Sequence, residues 1–190
     1  MAIKPNYCKG IIIVHGKSEL LLAEHIKSNL HLPIQIYSES NGKTSIQIDS
    51  LPTILGNMKF KNKRVFKNNF IVEEAQGEFK NFFVMPIMDL DDTSEMKKQN
   101  YISGEMFKSH WLSPYIIPIW NKNNLDEVLL ELKLIDKLPN NKEKGKLYRD
   151  LFPMNRGETD KEQVEKLMEQ FKKLKNTNMD IFIKKCLENL

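Results

Sequence analysis

Asp89, Asp91 and Asp92 close an apolar run, Phe82-Phe83-Val84-Met85-Pro86-Ile87-Met88, and lead into Thr93. An apolar strand that ends in Asp-x-Asp sets two carboxylates on the same side of the extended backbone. In open α/β folds the carboxyl edge of the sheet is where ligands sit. Clustered carboxylates repel one another and stay ionised beside a cation or strong hydrogen-bond donors. Hard oxygen ligands of this kind favour Mg²⁺ or Mn²⁺. The competing structural reading is an acidic turn whose Asp and Thr residues cap the next helix.

Those acids need a sheet to position them. The run Lys9-Gly10-Ile11-Ile12-Ile13-Val14-His15 is β-branched and unalternating, as a strand buried on both faces of a parallel sheet requires. After Gly16, Ser18 is the expected cap of a helix from Glu19 to about Asn29, with Leu21, Leu22, Ile26 and Leu30 at helical spacing. Pro33 to Tyr37 reads as a second strand, and Ser38 to Lys43, with Asn41-Gly42, as a turn. A helical stretch then ends near Gly56. Pro52 either lies in its first turn, if it starts at Asp49 or Ser50, or kinks it, if it starts at Thr44.

Phe82 to Met88 is the third strand, followed by a short helix through Glu95 to Lys98 that Thr93 or Ser94 caps. Tyr115 to Trp120 is the fourth, at an edge or bulge because Pro118 cannot donate to a ladder. Leu125, Leu129, Leu132 and Ile135 then form the stripe of a helix over 125–138. Met58 to Lys80 reads as an insertion or edge hairpin, with Val65-Phe66 and Phe70 to Val72 as short strands. Beyond Pro139 the chain turns to Lys, Glu and Asn, with helical patterns near 160–174 and 179–187. Val164, Leu167, Met168, Phe171 and Leu174 there must bury a face against the sheet or a second subunit. The expected fold is α/β: residues 1–138 form a four-stranded, mainly parallel sheet flanked by helices, and 139–190 a helical extension. Burial of that face against a second subunit would make the protein a homo-oligomer.

With 41% hydrophobic and 28% charged residues, the 190-residue chain has ordinary globular composition. The formal charge of +4 tolerates a polyanionic partner without demanding one. Cys8 and Cys186 lie at opposite ends with no Cys-x-x-Cys spacing, so neither a disulfide framework nor a structural zinc site is expected. No stretch is long and apolar enough for a signal-peptide core or a membrane span, and a cytoplasmic protein without a membrane partner is expected.

Further motifs bear on chemistry. Gly16-Lys17-Ser18 lacks the four-residue spacing of a phosphate loop, since Gly10 lies six residues earlier and the interval is strand. What remains is a strand-to-helix turn with Lys17 at a helix amino terminus, a suitable place for an anion. Lys59, Lys61, Lys63, Arg64 and Lys67 interleave with Phe60 and Phe66. They suit a nucleic-acid backbone and a stacked base, or else a lysine-guarded edge strand. His25, His31 and His110 show no metal spacing.

Asp89-Leu90-Asp91-Asp92-Thr93 resembles the nucleophile motif of haloacid-dehalogenase-type phosphatases, in which the first Asp attacks phosphorus and the second is the general acid. In that family the motif sits on the first strand, whereas here a βαβ unit precedes it. Ser103 and Lys122 are available downstream, but no later strand ends in an acidic pair. The combination of Ile11 to Glu19, the Glu39 to Ile46 turn and the later Asp-x-Asp strand resembles the TOPRIM domain, most closely that of OLD-type nucleases. The resemblance covers about residues 9–137.

That resemblance implies a divalent-metal-dependent nuclease. Asp89 and Asp91 would hold Mg²⁺ or Mn²⁺, with Asp92 as an outer ligand. Glu19, matching a second family Glu, would add a ligand or orient water. Lys17 and Lys43 would neutralise phosphate. The family's first Glu is His15 here, which as a neutral imidazole ligates a metal or carries a proton but brings no negative charge. A catalytically degenerate module that binds nucleic acid or protein is therefore an alternative. The OLD-type likeness also hints at an ATPase partner.

Overall fold

The computed structural model describes residues 6–57, 59–91, 93–154 and 160–190. Its strands are β1 (Asn6–Tyr7), β2 (Gly10–Val14), β3 (Ile34–Tyr37), β4 (Phe70–Ile71), β5 (Glu74–Ala75), β6 (Glu78–Phe79), β7 (Phe83–Asp89) and β8 (Ile119–Asn121). Its α-helices are α1 (Lys17–Asn29), α2 (Leu51–Leu55), α3 (Lys63–Asn69), α4 (Glu95–Ile102), α5 (Leu125–Glu131), α6 (Asn141–Leu151), α7 (Lys161–Phe171) and α8 (Met179–Leu187). The main sheet is parallel throughout, in the order β3-β2-β7-β8.

Every residue of β2 and β7 is buried, which explains their unalternating sequence. Ile12, Val14, Phe83, Met85 and Ile87 face one core, and Ile11, Ile13, Val84 and Met88 face the other. The first core is closed by α1 and α5 together with Tyr148, Phe152, Val164, Leu167, Phe171, Phe182 and Ile183. The carboxy-terminal helices therefore continue the main core, and the expected boundary at 138/139 marks no break in packing. Residues 141–151, for which no helix was expected, form α6, started by Asn140 accepting the Lys142 and Glu143 amides. Leu125 to Leu138 is helical only to Glu131, because Leu132 caps it and Lys133 turns left-handed (φ 56°).

Other boundaries moved for local reasons. The first helix begins at Lys17 and is capped by Gly16, with Ser18 inside it. Pro52 does lie at the start of α2, which follows a 3₁₀ turn at Ile48–Ser50. The fourth strand is β8, at the sheet edge as expected, but shorter. Pro86 and Pro118 interrupt the β7–β8 ladder between the Val84–Ile116 bridge and the Ile87–Ile119 pair. The buried Tyr101 hydroxyl fills that gap, lying 2.7 Å from Pro86 O and 2.8 Å from Ile119 O.

The segment 59–80 departs most from expectation. Val65-Phe66 lies in α3, which Asn62 caps through the Val65 amide, and Phe70–Ile71 is a short strand, β4, paired with β1; the hairpin of this segment forms further on, between β5 and β6. Phe66 is wholly buried among Phe70, Phe79, Phe82 and Trp111. Phe60 is buried too, so neither ring is free to stack on a base.

Candidate functional site

The carboxyl ends of β2 and β7 open into a cleft of about 410 Å³. Its lining includes His15, Lys17, Glu19, Lys43, Asp89, Asp91, Asp126 and Lys144. The two central strands thus bring together His15, Lys17, Glu19, Lys43, Asp89 and Asp91. Asp92 lies outside the described residues.

His15 leaves β2 just as the backbone turns into α1. Its Nδ1 lies 2.9 Å from Ile46 O, and because a carbonyl only accepts, Nδ1 carries the proton. Nε2 is left facing Asp89 Oδ2 at 3.9 Å. The Ile46 amide donates back to His15 O at 2.8 Å, so the 38–46 loop is fastened to the strand end on both sides. Ser40, Asn41 and Gly42 are left-handed in succession, and a Cβ on Gly42 would come within 3.0 Å of Lys17 Cα. Asn41-Gly42 therefore permits the close approach that brings Lys43 to the rim.

Glu19 accepts the Gly16 amide at 3.0 Å, tying it to the helix start. It is 2% exposed. Burial pushes its carboxyl above the usual range, with Asp126 adding repulsion and His15 opposing it. Asp89 is raised well above that range by burial first and by the Glu19 charge next, while the Asn121 amide, donating to Oδ1 at 2.9 Å, opposes the shift. The two acids destabilise each other's ionised form.

Asp126, absent from the sequence-based site, sits in the first turn of α5. Its Oδ1 accepts from Tyr148 Oη at 2.6 Å and Ser18 Oγ at 3.2 Å, and its Oδ2 pairs with Lys144 Nζ at 2.6 Å. The Asn124-x-x-Glu127 cap following β8 was the available signal, since it puts Asp126 at the carboxyl edge of a parallel strand. Lys144 and Tyr148, spaced one turn apart on α6, carry no local signal of this role.

The basic patch lies elsewhere. Lys63 and Lys67 both pair with Glu74, and Lys63 Nζ sits 5.0 Å above the Phe79 ring. Lys59, Lys61 and Arg64 are exposed, but no strand alternation aligns Lys59, Lys61 and Lys63. Phe66 packs on Phe82 at the amino end of β7, so the patch is roughly 20 Å from Asp89 along that strand.

Among the described residues no three His, Cys, Asp or Glu side chains converge as a preformed metal site. Cys8 and Cys186 are buried and free. No described helix is long and apolar enough to cross a membrane. Fold and cleft define a parallel α/β protein with an acidic centre at the carboxyl edge of its sheet. Comparison of the chain with protein-family models, curated proteins and solved structures finds no match.

Proposed function

We propose that the protein is a TOPRIM-like phosphodiesterase that hydrolyses nucleic acid with Mg²⁺ or Mn²⁺. The observation that carries this reading is the meeting of Glu19, Asp89, Asp91 and Asp126 in one cleft, with burial and mutual repulsion acting against ionised Glu19 and Asp89. A divalent cation would relieve that repulsion; the carboxylate oxygens suit Mg²⁺ or Mn²⁺, and the one imidazole nitrogen shifts the preference towards Mn²⁺ or another transition ion. Glu19, Asp89 and Asp91 would hold it, with His15 Nε2 as a further donor. The metal, when bound, supplies polarisation of a phosphoryl oxygen and acidification of water.

The chain's own groups do the rest. Lys17 and Lys43 neutralise phosphate charge at the rim, and His15, its Nδ1 proton fixed by Ile46 O, uses the Nε2 lone pair as that donor or, where no metal takes it, to accept a proton. Lys144 balances Asp126. The resemblance alone suggests an ATPase partner.

A second reading, a catalytically degenerate module that binds nucleic acid or protein, draws support from His15 in place of the family's Glu and from the tie between Glu19 and Gly16. The phosphatase reading has less support, because the would-be nucleophile Asp89 is 9% exposed with Oδ1 engaged by Asn121. Mg²⁺ and Mn²⁺ titrations against single-stranded, duplex and supercoiled substrates separate the three. Cleavage lost in Asp89→Ala is expected. Equal cleavage by that variant, or none by wild type, would overturn the nuclease; monoester hydrolysis would favour the phosphatase, and salt-sensitive binding without turnover the module.

A further inference from the structure

We propose that Asn121 and Thr177 are positioning residues that aim Asp89, fixing one carboxylate oxygen so that the other faces the cleft; the role in metal binding rests on the reading above. Asp89 and Asn121 are register partners on β7 and β8, so their side chains lie on the same side of the sheet. Asn121 Nδ2 donates to Asp89 Oδ1 at 2.9 Å, and Thr177 Oγ1 donates to Asn121 Oδ1 at 2.8 Å. The Met179 amide donates to Thr177 Oγ1 at 3.2 Å, which leaves the hydroxyl proton for Asn121 in preference to the longer 3.2 Å contact with Trp120 O. A backbone amide only donates, so Thr177 Oγ1 accepts from Met179 and gives its own proton to Asn121 Oδ1, which leaves Asn121 Nδ2 to face Asp89.

The series is shielded from water: Asn121 is 0% and Thr177 5% exposed. The segment carrying Thr177 is pinned to β8. Lys122 N donates to Asn176 O at 2.7 Å, Asn178 N to Trp120 O at 3.2 Å, and Trp120 N to Asn178 Oδ1 at 2.7 Å. Without the Thr177 hydroxyl, Asn121 Oδ1 loses its donor and the amide is free to turn its oxygen towards Asp89, where two acceptors would repel. His15 Nε2 faces Asp89 Oδ2, the oxygen that Asn121 leaves free.

The test uses the full chain and two variants, Thr177→Val, which keeps the shape, and Thr177→Ser, which keeps the hydroxyl. Mn²⁺ binding followed by electron paramagnetic resonance is expected to weaken about tenfold in the Val variant and to recover in the Ser variant, a rescue that packing loss alone would not produce. The metal-free protein supplies an independent measurement: the Asn121 side-chain amide resonances should shift in Thr177→Val and in Asp89→Asn and stay put in Thr177→Ser. Unmoved resonances in Thr177→Val would overturn the positioning role whatever the metal result. Resonances that respond in a wild-type protein without Mn²⁺ affinity would keep that role and remove the metal reading.

Discussion

Glu19 and Asp89 carry carboxyls raised above the usual range by burial and by neighbouring charge. From about pH 4, where carboxylates of an unfolded chain titrate, up to those raised values, the folded protein binds more protons than the unfolded one. The stability these groups contribute is thus complete below about pH 4 and is lost as pH rises through their folded pKa values. Urea midpoints are expected to fall over that window, and Mg²⁺ or Mn²⁺ to flatten the fall. Glu19→Gln keeps an acceptor for the Gly16 amide while removing one charge, so its midpoint at neutral pH should rise as cleavage drops. A lowered midpoint would count against mutual repulsion. Asp89, Asp91, Glu19 and His15 were legible in the sequence because each sits within a few residues of a strand end. Asp126 is marked in sequence only by the Asn124 cap, and Asn121, Lys144 and Thr177 carry no local mark, since their roles arise only when β8, α6 and the segment before α8 meet the cleft.

The central strands and α1 were readable from apolar pattern, because burial on both faces leaves a simple signature. The 59–69 segment hides its helix because its alternation of Lys and Phe mimics a strand, whereas Asn62 starts a helix and Phe66 fills a pocket of rings. Removing that ring should be costly: Phe66→Ala is expected to lose about 3–5 kcal/mol in urea denaturation. In the loop that carries Lys43, Gly42 has φ 75°. Gly42→Ala is expected to cost about 1–2 kcal/mol from the left-handed backbone alone. The close contact with Lys17 Cα adds to this and should disturb both rim lysines. Wild-type stability in that variant would show that the loop does not need the tight approach.

The whole molecule has a sheet covered on both sides, and its carboxy-terminal third supplies much of one cover. A chain ending at Leu138 loses Tyr148, Phe152, Val164, Phe171, Phe182 and Ile183 from that core. At about 1.5–3 kcal/mol for each buried side chain this is as large as the usual net stability of a domain, so no cooperative unfolding transition is expected in calorimetry. Charge is also distributed unevenly: the cleft rim carries Lys17 and Lys43, while the far end carries lysines partly paired with Glu74. If nucleic acid lies along the cleft, replacing Lys17 and Lys43 by Ala should reduce the salt slope of binding by about 2, and replacing Lys63 and Lys67 should leave it unchanged. The reverse pattern would move the interface to the far end. The clasp of Asn176, Thr177 and Asn178 on β8 has a consequence in time. A chain is synthesised from its amino terminus, so His15, Glu19 and Asp89 emerge long before the hydroxyl that completes the hydrogen-bonded series to Asp89, and the cleft reaches its final form only after Thr177 has been translated.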